Sequence, residues 1–564
     1  MKKHNRPLLF TFMFSLSSLF FANPVSASGH IKLILQITVD GLRGDLLARY
    51  QHHYGKDGFR YLLEHGVYYA NAHYSHANTT SVVGHATLAT GSYPADHGIV
   101  ADVWLDPVFG QQVNNIADPN APILQAVNPP SADQSLSPTG YQRPVSGRSP
   151  RIMLGTTFSD QLFINTAGRS RVFAVSGKDQ GAVPMAGHMG KAFWFSTDNG
   201  EMVTSGYYYY DSYPQWVTKW NSQKLTHSYA QKAWELRNNR EDYIFSEQDN
   251  RSYEVDLNGF ANTFPHPYSS IEQPLYNTLL MASPAGDKLL ADFAKQLIIS
   301  ETLGSRVPTD YLSVSFSSLD AVNQIFGPSS LENEDLIATL DQTLADLLQF
   351  VDKQIGLENT LVVLSGAHGM AEAAEYITEL GLSAGEIRSD EIYQFANDVA
   401  KKEFAIDNLV KAFIRPYIYL DKNKIRLTNL QLIDVEMRLA NALSQYEGIA
   451  LALPASDITA LENTPAGKQI KRNFHAQRSG DIYIAQSPYW QLRETDTGAV
   501  SNGSPWSYDT YVPIIFAGAN LKAQRIDRAV DPVDIAPTLA SMMAITPPSK
   551  ARGAVLEEVV SQRP

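Results

Sequence analysis

Ile31 to Val39 reads IKLILQITV, a near-continuous apolar run that ends at Asp40-Gly41. Such a run suits a strand buried on both faces, as in a parallel sheet. Shorter runs of the same kind recur at Val172 to Val175, Tyr311 to Phe316, Thr360 to Leu364 and Val512 to Phe516. Helical spacing lies between them. Leu42 to Leu63 shows it, closing at Gly66, and Leu336, Ile337, Leu340, Leu344, Leu347, Leu348 and Val351 mark one face of a long amphipathic helix. Asp534 to Met543 predicts a closing helix with Pro537 in its first turn. Strand, helix, strand, with polar residues just past the strand ends, predicts a doubly wound, mostly parallel α/β sheet. Its site belongs at the carboxyl edge.

Other stretches lack this regularity. Asp106 to Ser149 is rich in Pro, Asn, Ser and Gly and reads as loop. Two insertions, at about 195–300 and 371–500, are predicted to cover the sheet as a cap. Within the second, Phe413 to Leu420 and Asp481 to Ala485 are strand-like and Asn429 to Leu443 helical. Tyr207 to Tyr210 reads as packing within the first insertion in preference to a stacking surface for a ligand.

At the N-terminus, Lys2, Lys3 and Arg6 precede an apolar stretch from Leu8 to Phe21, then Val25-Ser26-Ala27. This is the pattern of a secretory signal peptide over residues 1–27. It leaves 28–564 as one secreted, periplasmic domain with no membrane span. The chain has no cysteine, so any metal ion must be held by His, carboxylates, amides or hydroxyls. A net charge of -13 argues against a nucleic-acid partner.

The candidate chemistry centres on Asn78-Thr79-Thr80-Ser81-Val82-Val83-Gly84-His85, which opens a short helical run. A hydroxyl at a helix N-terminus sits beside unpaired N–H groups, where a phosphate can be held and attacked. Ser is also an ordinary cap residue, and Asp40, taken alone, is an ordinary cap for the helix after it.

Motifs spread along the chain give these residues a context. They are Thr38-Val39-Asp40-Gly41-Leu42-Arg43, Gly84-His85-Ala86-Thr87 with Thr90-Gly91, and Tyr93-Pro94 with His97-Gly98-Ile99. They continue in Gly177-Lys178-Asp179, Ser317-Ser318-Leu319-Asp320, Arg478-Ser479-Gly480-Asp481 and Tyr508-Asp509-Thr510. Together they resemble the alkaline phosphatase superfamily, and among its members the bacterial single-chain alkaline phosphatases related to type I phosphodiesterase/nucleotide pyrophosphatases. The resemblance implies that family's α/β fold, a Thr or Ser nucleophile and two zinc ions. It puts the nucleophile at Ser81. One metal site would take Asp40, Ser81, an Asp at the position of Ala367, and His368. The other would take Asp320 and two His, at the positions of Gln324 and Asn502. Three of the seven expected ligand positions are thus changed. Lys178 keeps the family's lysine, whereas Gln180 and Asp102 stand where an arginine and an asparagine contact the substrate. The resemblance places His85 and His97 outside the metal shell.

Alanine supplies no ligand, and amide oxygens suit hard cations better than zinc. One divalent ion (zinc, magnesium or calcium) is therefore expected in place of two zinc ions. Without the metals a Ser hydroxyl is a weak nucleophile. Gln180 lacks the planar fork that grips phosphate. Three readings follow. The first is a phosphate-ester hydrolase scaffold with an altered or depleted bimetal site and weak or altered activity on a small phosphate ester or related substrate. The second is an inactive relative that binds a ligand or partner. The third is an ordinary two-zinc alkaline phosphatase with replacement ligands.

Overall fold

The computed structural model describes Met1 and residues 30–106, 110–124, 147–209, 212–257, 259–457, 464–494 and 498–563. Apart from Met1, the segment read as a signal peptide lies outside them.

Two sheets and the helices packed on them carry the site and its cover. The strands, in chain order, are β1 (Leu33–Val39), β2 (Val67–His73), β3 (Val172–Ser176), β4 (Lys191–Ser196), β5 (Glu201–Val203), β6 (Asp310–Phe316) and β7 (Thr360–Gly366). They continue as β8 (Val410–Ile414), β9 (Tyr417–Leu420), β10 (Ile449–Pro454), β11 (Ile482–Gln486), β12 (Tyr511–Gly518) and β13 (Gln524–Ile526). The helices are α1 (Ser81–Thr90), α2 (Asp179–Ala186), α3 (Pro284–Ser300), α4 (Ser318–Phe326), α5 (Leu331–Gln354), α6 (Ser389–Phe404), α7 (Leu432–Leu443) and α8 (Ile535–Met542).

Among the described residues, nine strands form the central sheet in the order β13-β2-β12-β7-β1-β6-β3-β4-β5. The five from β7 to β4 run parallel to one another. β12 and β5 pair antiparallel to their neighbours. Alternation inside the apolar runs explains the layers. Leu33, Leu35, Ile37 and Val39 of β1 point into one core, with Leu312, Val314 and Phe316 of β6 and the apolar faces of α3 and α5. Ile34 of β1, Tyr311 of β6 and Leu361 and Val363 of β7 point into the other, against α1, α2 and α8. Covered on both faces, these strands are mostly apolar.

The 371–500 stretch builds a separate antiparallel sheet, β8-β9-β11-β10, with its own core between α6 and α7. The expected strand over Phe413 to Leu420 is two strands. They turn at Arg415-Pro416 and pair with each other, Phe413 against Ile418. The expected helix over Leu42 to Leu63 is also broken, into Leu46–Arg49, a tight turn at Gln51–His53, and Phe59–His65. The break is stabilised from α5, where the Asp341 carboxylate accepts hydrogen bonds from Gly55 N at 2.8 Å and Phe59 N at 2.7 Å. Within the first insertion, Tyr207 and Tyr208 rings meet edge-on and Tyr209 packs on Phe193, whereas Tyr210 lies outside the described residues. Short strands at Gln112–Asn114, Ala117–Pro122 and Gly147–Arg148 interrupt the stretch expected to be loop.

Candidate active site

Four adjacent parallel strands deliver the site. His368 follows β7, Asp40 follows β1, Asp320 follows β6 and Lys178 follows β3. Each strand end therefore contributes one titratable side chain, at the carboxyl edge where open α/β sheets bind ligands. Ser81 faces them from the first position of α1, a helix whose every residue is buried.

α1 can come this close because of Gly84. A Cβ there would lie 2.0 Å from the carbonyl oxygen of Ala367. The glycine thus lets the helix press on the residue before His368. Ser81 Oγ lies 3.0 Å from His368 Nε2. The other ring nitrogen, Nδ1, is 2.7 Å from the carbonyl oxygen of Gly369, which can only accept, so Nδ1 carries the hydrogen. In the neutral ring, Nε2 then presents a lone pair to the Ser81 hydroxyl.

Asp40 is buried at the turn where Gly41 adopts φ 78°. Its Oδ1 accepts from His85 Nε2 at 2.8 Å and its Oδ2 from Ser317 Oγ at 2.9 Å. Burial acts to raise this carboxyl. The charge and hydrogen bond of His85, with Lys178 and His368 beyond, outweigh it and hold the group well below the usual carboxylate range.

Asp320 is treated differently. Its Oδ2 is paired with Lys178 Nζ, and its Oδ1 accepts from Asn502 Nδ2 at 3.4 Å. His368 Nε2 stands 3.9 Å from the same Oδ1. Burial acts to lower the Lys178 ammonium, but Asp320 and Asp40 together hold it above its ordinary value. Lys178 thus pairs with Asp320. Asp102 accepts from Gln180 Nε2 at 3.3 Å. Burial, with Glu494 adding to it, pushes the Asp102 carboxyl up to about 6 against the opposing pull of Arg415, Lys178 and His368.

Gln324 lies one helical turn beyond Asp320 on α4, its backbone carbonyl 2.6 Å from Ala499 N. Asn502 sits within 3.3 Å of both His368 ring nitrogens. His97 is outside this cluster, bonded to Thr87 Oγ1 at 3.2 Å. Two groups were not singled out from sequence. Ser317 and Ser315 complete the surroundings of Asp40 and His85, and Ser317 was visible only as part of a motif. Arg415 holds the Asn502 carbonyl at 3.3 Å and Ser501 Oγ at 3.2 Å. It lines one cleft with Thr80, Asp102, Glu494 and Asn502. The Arg-Pro turn carrying it was hidden inside one apparent strand.

The family model for type I phosphodiesterase/nucleotide pyrophosphatase matches residues 34–511. The chain belongs to this family. Alkaline phosphatase PafA of Elizabethkingia meningoseptica is 30% identical over 552 residues, covering 97% of each chain. Alkaline phosphatase PhoV of Synechococcus elongatus is 29% identical over 538 residues, covering 94% of this chain and 93% of PhoV. The crystal structure of wild-type alkaline phosphatase PafA superposes with a TM-score of 0.85 at 28% identity, covering 94% of this chain and 99% of that one. The relatives are phosphate-ester hydrolases, and the α/β fold is of alkaline phosphatase type. No helix among the described residues is long and apolar enough to cross a membrane.

Proposed function

We propose that this chain is a secreted, periplasmic phosphate-ester hydrolase scaffold whose two-metal centre is depleted, leaving weak or altered activity. The observation that carries the reading is the pairing of Asp320. Its carboxylate is met by Lys178 and Asn502, both protein donors, at the place where the resemblance calls for two histidines and an ion. The donor set does not fit two zinc ions. Ala367 offers nothing and Gln324 and Asn502 offer neutral amides. Among the described residues, the site contains no three His or carboxylate ligand atoms lying within 4.8 Å of one another.

In this reading Ser81 attacks a phosphate ester and Lys178 is the nearby cation. The N-terminus of α1 contributes further positive potential. Gln180 and Asp102 disfavour dianionic phosphate. An ionised Asp102 at ~4 Å from a unit negative charge costs roughly 4 kcal/mol where the effective dielectric constant is about 20. A monoanionic diester carries less of that penalty, so diesters are the better substrates. A second reading, a non-catalytic binder of a ligand or partner, is favoured by the same Lys178–Asp320 pair, which engages the site's cation within the protein.

The test is the triple variant Ala367→Asp, Gln324→His, Asn502→His, assayed with zinc on a phosphomonoester and a phosphodiester beside wild type and Ser81→Ala. The proposal expects weak wild-type turnover that Ser81→Ala abolishes and the triple variant raises at least tenfold. Wild-type turnover already at the level of the triple variant overturns it. Turnover unchanged in Ser81→Ala transfers the case to the binder.

A further inference from the structure

We propose that His52, His53 and Glu334 form a second divalent-metal site, of zinc type, that shares no residue with the candidate active site. His52 and His53 end the tight turn Gln51–His53, and Glu334 lies in the first turn of α5. Their ligand atoms all fall within 4.8 Å of one another, the one such group among the described residues. His53 Nε2 is 2.8 Å and His52 Nε2 is 3.5 Å from the same oxygen, Glu334 Oε1. In a tetrahedral zinc site with bonds of about 2.0–2.2 Å, neighbouring ligand atoms stand about 3.3–3.5 Å apart. The cluster needs only small adjustments to reach that spacing.

A lone hydrogen bond explains His53 but not His52. The Nε2 of His53 already bonds the carboxylate, and a second imidazole turned on the same oxygen at 3.5 Å is too far to bond it well. Two imidazoles and one carboxylate converging on one point are a zinc donor set, whereas magnesium and calcium take oxygen ligands.

The outer contacts are those a metal site requires. Glu334 is fully buried, and its carboxylate is fixed by Ile244 N at 3.0 Å and Phe245 N at 3.1 Å. Among the described residues, its charge partners are these two histidines. His53 Nδ1 lies 3.0 Å from the side-chain amide of Asn238. With that amide turned, its oxygen accepts Nδ1–H and leaves Nε2 for the ion. The His53 ring is further held against His52, at 4.0 Å between centroids, and Tyr243, at 4.9 Å. The His52 side chain is 43% exposed, which gives an ion entry and leaves room for water as a fourth ligand. Glu334 bonds the 244–245 backbone directly, so an ion here would tie that segment to α5 and to the turn behind β1.

The experiment uses the full mature chain, stripped with a chelator and titrated with zinc and with cobalt. An Asp320→Asn/His368→Ala variant removes donors from the candidate active site, and His52→Ala removes only an exposed side chain. The expected result is one zinc equivalent that the Asp320→Asn/His368→Ala variant retains with wild-type affinity, whatever the candidate active site itself takes up in wild type. His52→Ala should weaken it at least tenfold with an unchanged circular dichroism spectrum. Cobalt should give visible absorption bands of a tetrahedral site that His52→Ala loses. Zinc should also protect residues 240–245 from proteolysis in wild type and in the Asp320→Asn/His368→Ala variant, but not in His52→Ala. The proposal is overturned if His52→Ala binds zinc as tightly as wild type, or if the Asp320→Asn/His368→Ala variant takes up no zinc at micromolar concentrations.

Discussion

The two aspartates of the candidate site, Asp40 and Asp320, are equally buried but neutralised in opposite ways. Asp40 is met by His85 and Ser317, side chains packed within the frame of α1 and the loop after β6. Asp320 is met by Lys178, whose side chain is 31% exposed, and by Asn502, on a segment that Arg415 holds in place. The Asp40 half is part of the fold. The Asp320 half is a set of contacts at the mouth of a cleft, which other partners can replace. Stability should therefore depend on the first and ligand preference on the second.

Breaking the Asp40 half is the severest test. His85→Leu leaves a fully buried carboxylate without the ring N–H it accepts from, and leaving a buried charged group short of a hydrogen bond costs about 3 kcal/mol. Urea unfolding of wild type and variant measures it, and a cost near that of Lys178→Ala would erase the distinction. Gly84→Ala comes next, since its methyl group collides with the Ala367 carbonyl that positions His368. Overpacking of this kind costs about 1–3 kcal/mol, and the same shift should separate Ser81 from His368 and reduce any Ser81-dependent turnover.

Asp102 sharpens the comparison through pH. Its folded-state carboxyl is raised to about 6 by burial, from an ordinary 3.8. A raised acid favours folding while protonated, and that contribution is lost as pH rises through about 6. Asp102→Asn should hence stabilise the protein above pH 6 by on the order of 1–2 kcal/mol, allowing for solvent screening at this half-buried position. It should have little effect below pH 4. Thermal unfolding across pH 4–8 shows whether the two curves converge at the acid end. The smallest effect is expected for Lys178→Ala, about 1 kcal/mol because the ammonium is partly solvated. A calorimetric titration with magnesium or zinc should then show tighter uptake at Asp320 than in wild type.

The sequence disclosed the parts of this design that depend on burial. β1, β6 and β7 stand out because strands covered on both faces are built mostly from apolar residues. β2 escaped notice because VYYANAH is only half covered and alternates irregularly. The sequence pattern places α3 within the first insertion, although eleven of its residues are buried. Asp40 and Asp320 are legible as residues because they lie inside recognisable motifs, Ser81 because it stands just before one, and His368 because it closely follows an apolar strand. Their partners are not. The Lys178–Asp320 pair spans 142 positions of sequence, and no local pattern tells a lysine which carboxylate it will meet. His52 and His53 went unmarked for the same reason, since Glu334 approaches them from a helix that reads as ordinary amphipathic surface.

The lysine at the end of β3 has one more consequence. Under the proposed reading, a protein that balances Asp320 with its own ammonium completes that half of the site on folding, and its cleft would look the same whether trace metals are scarce or plentiful.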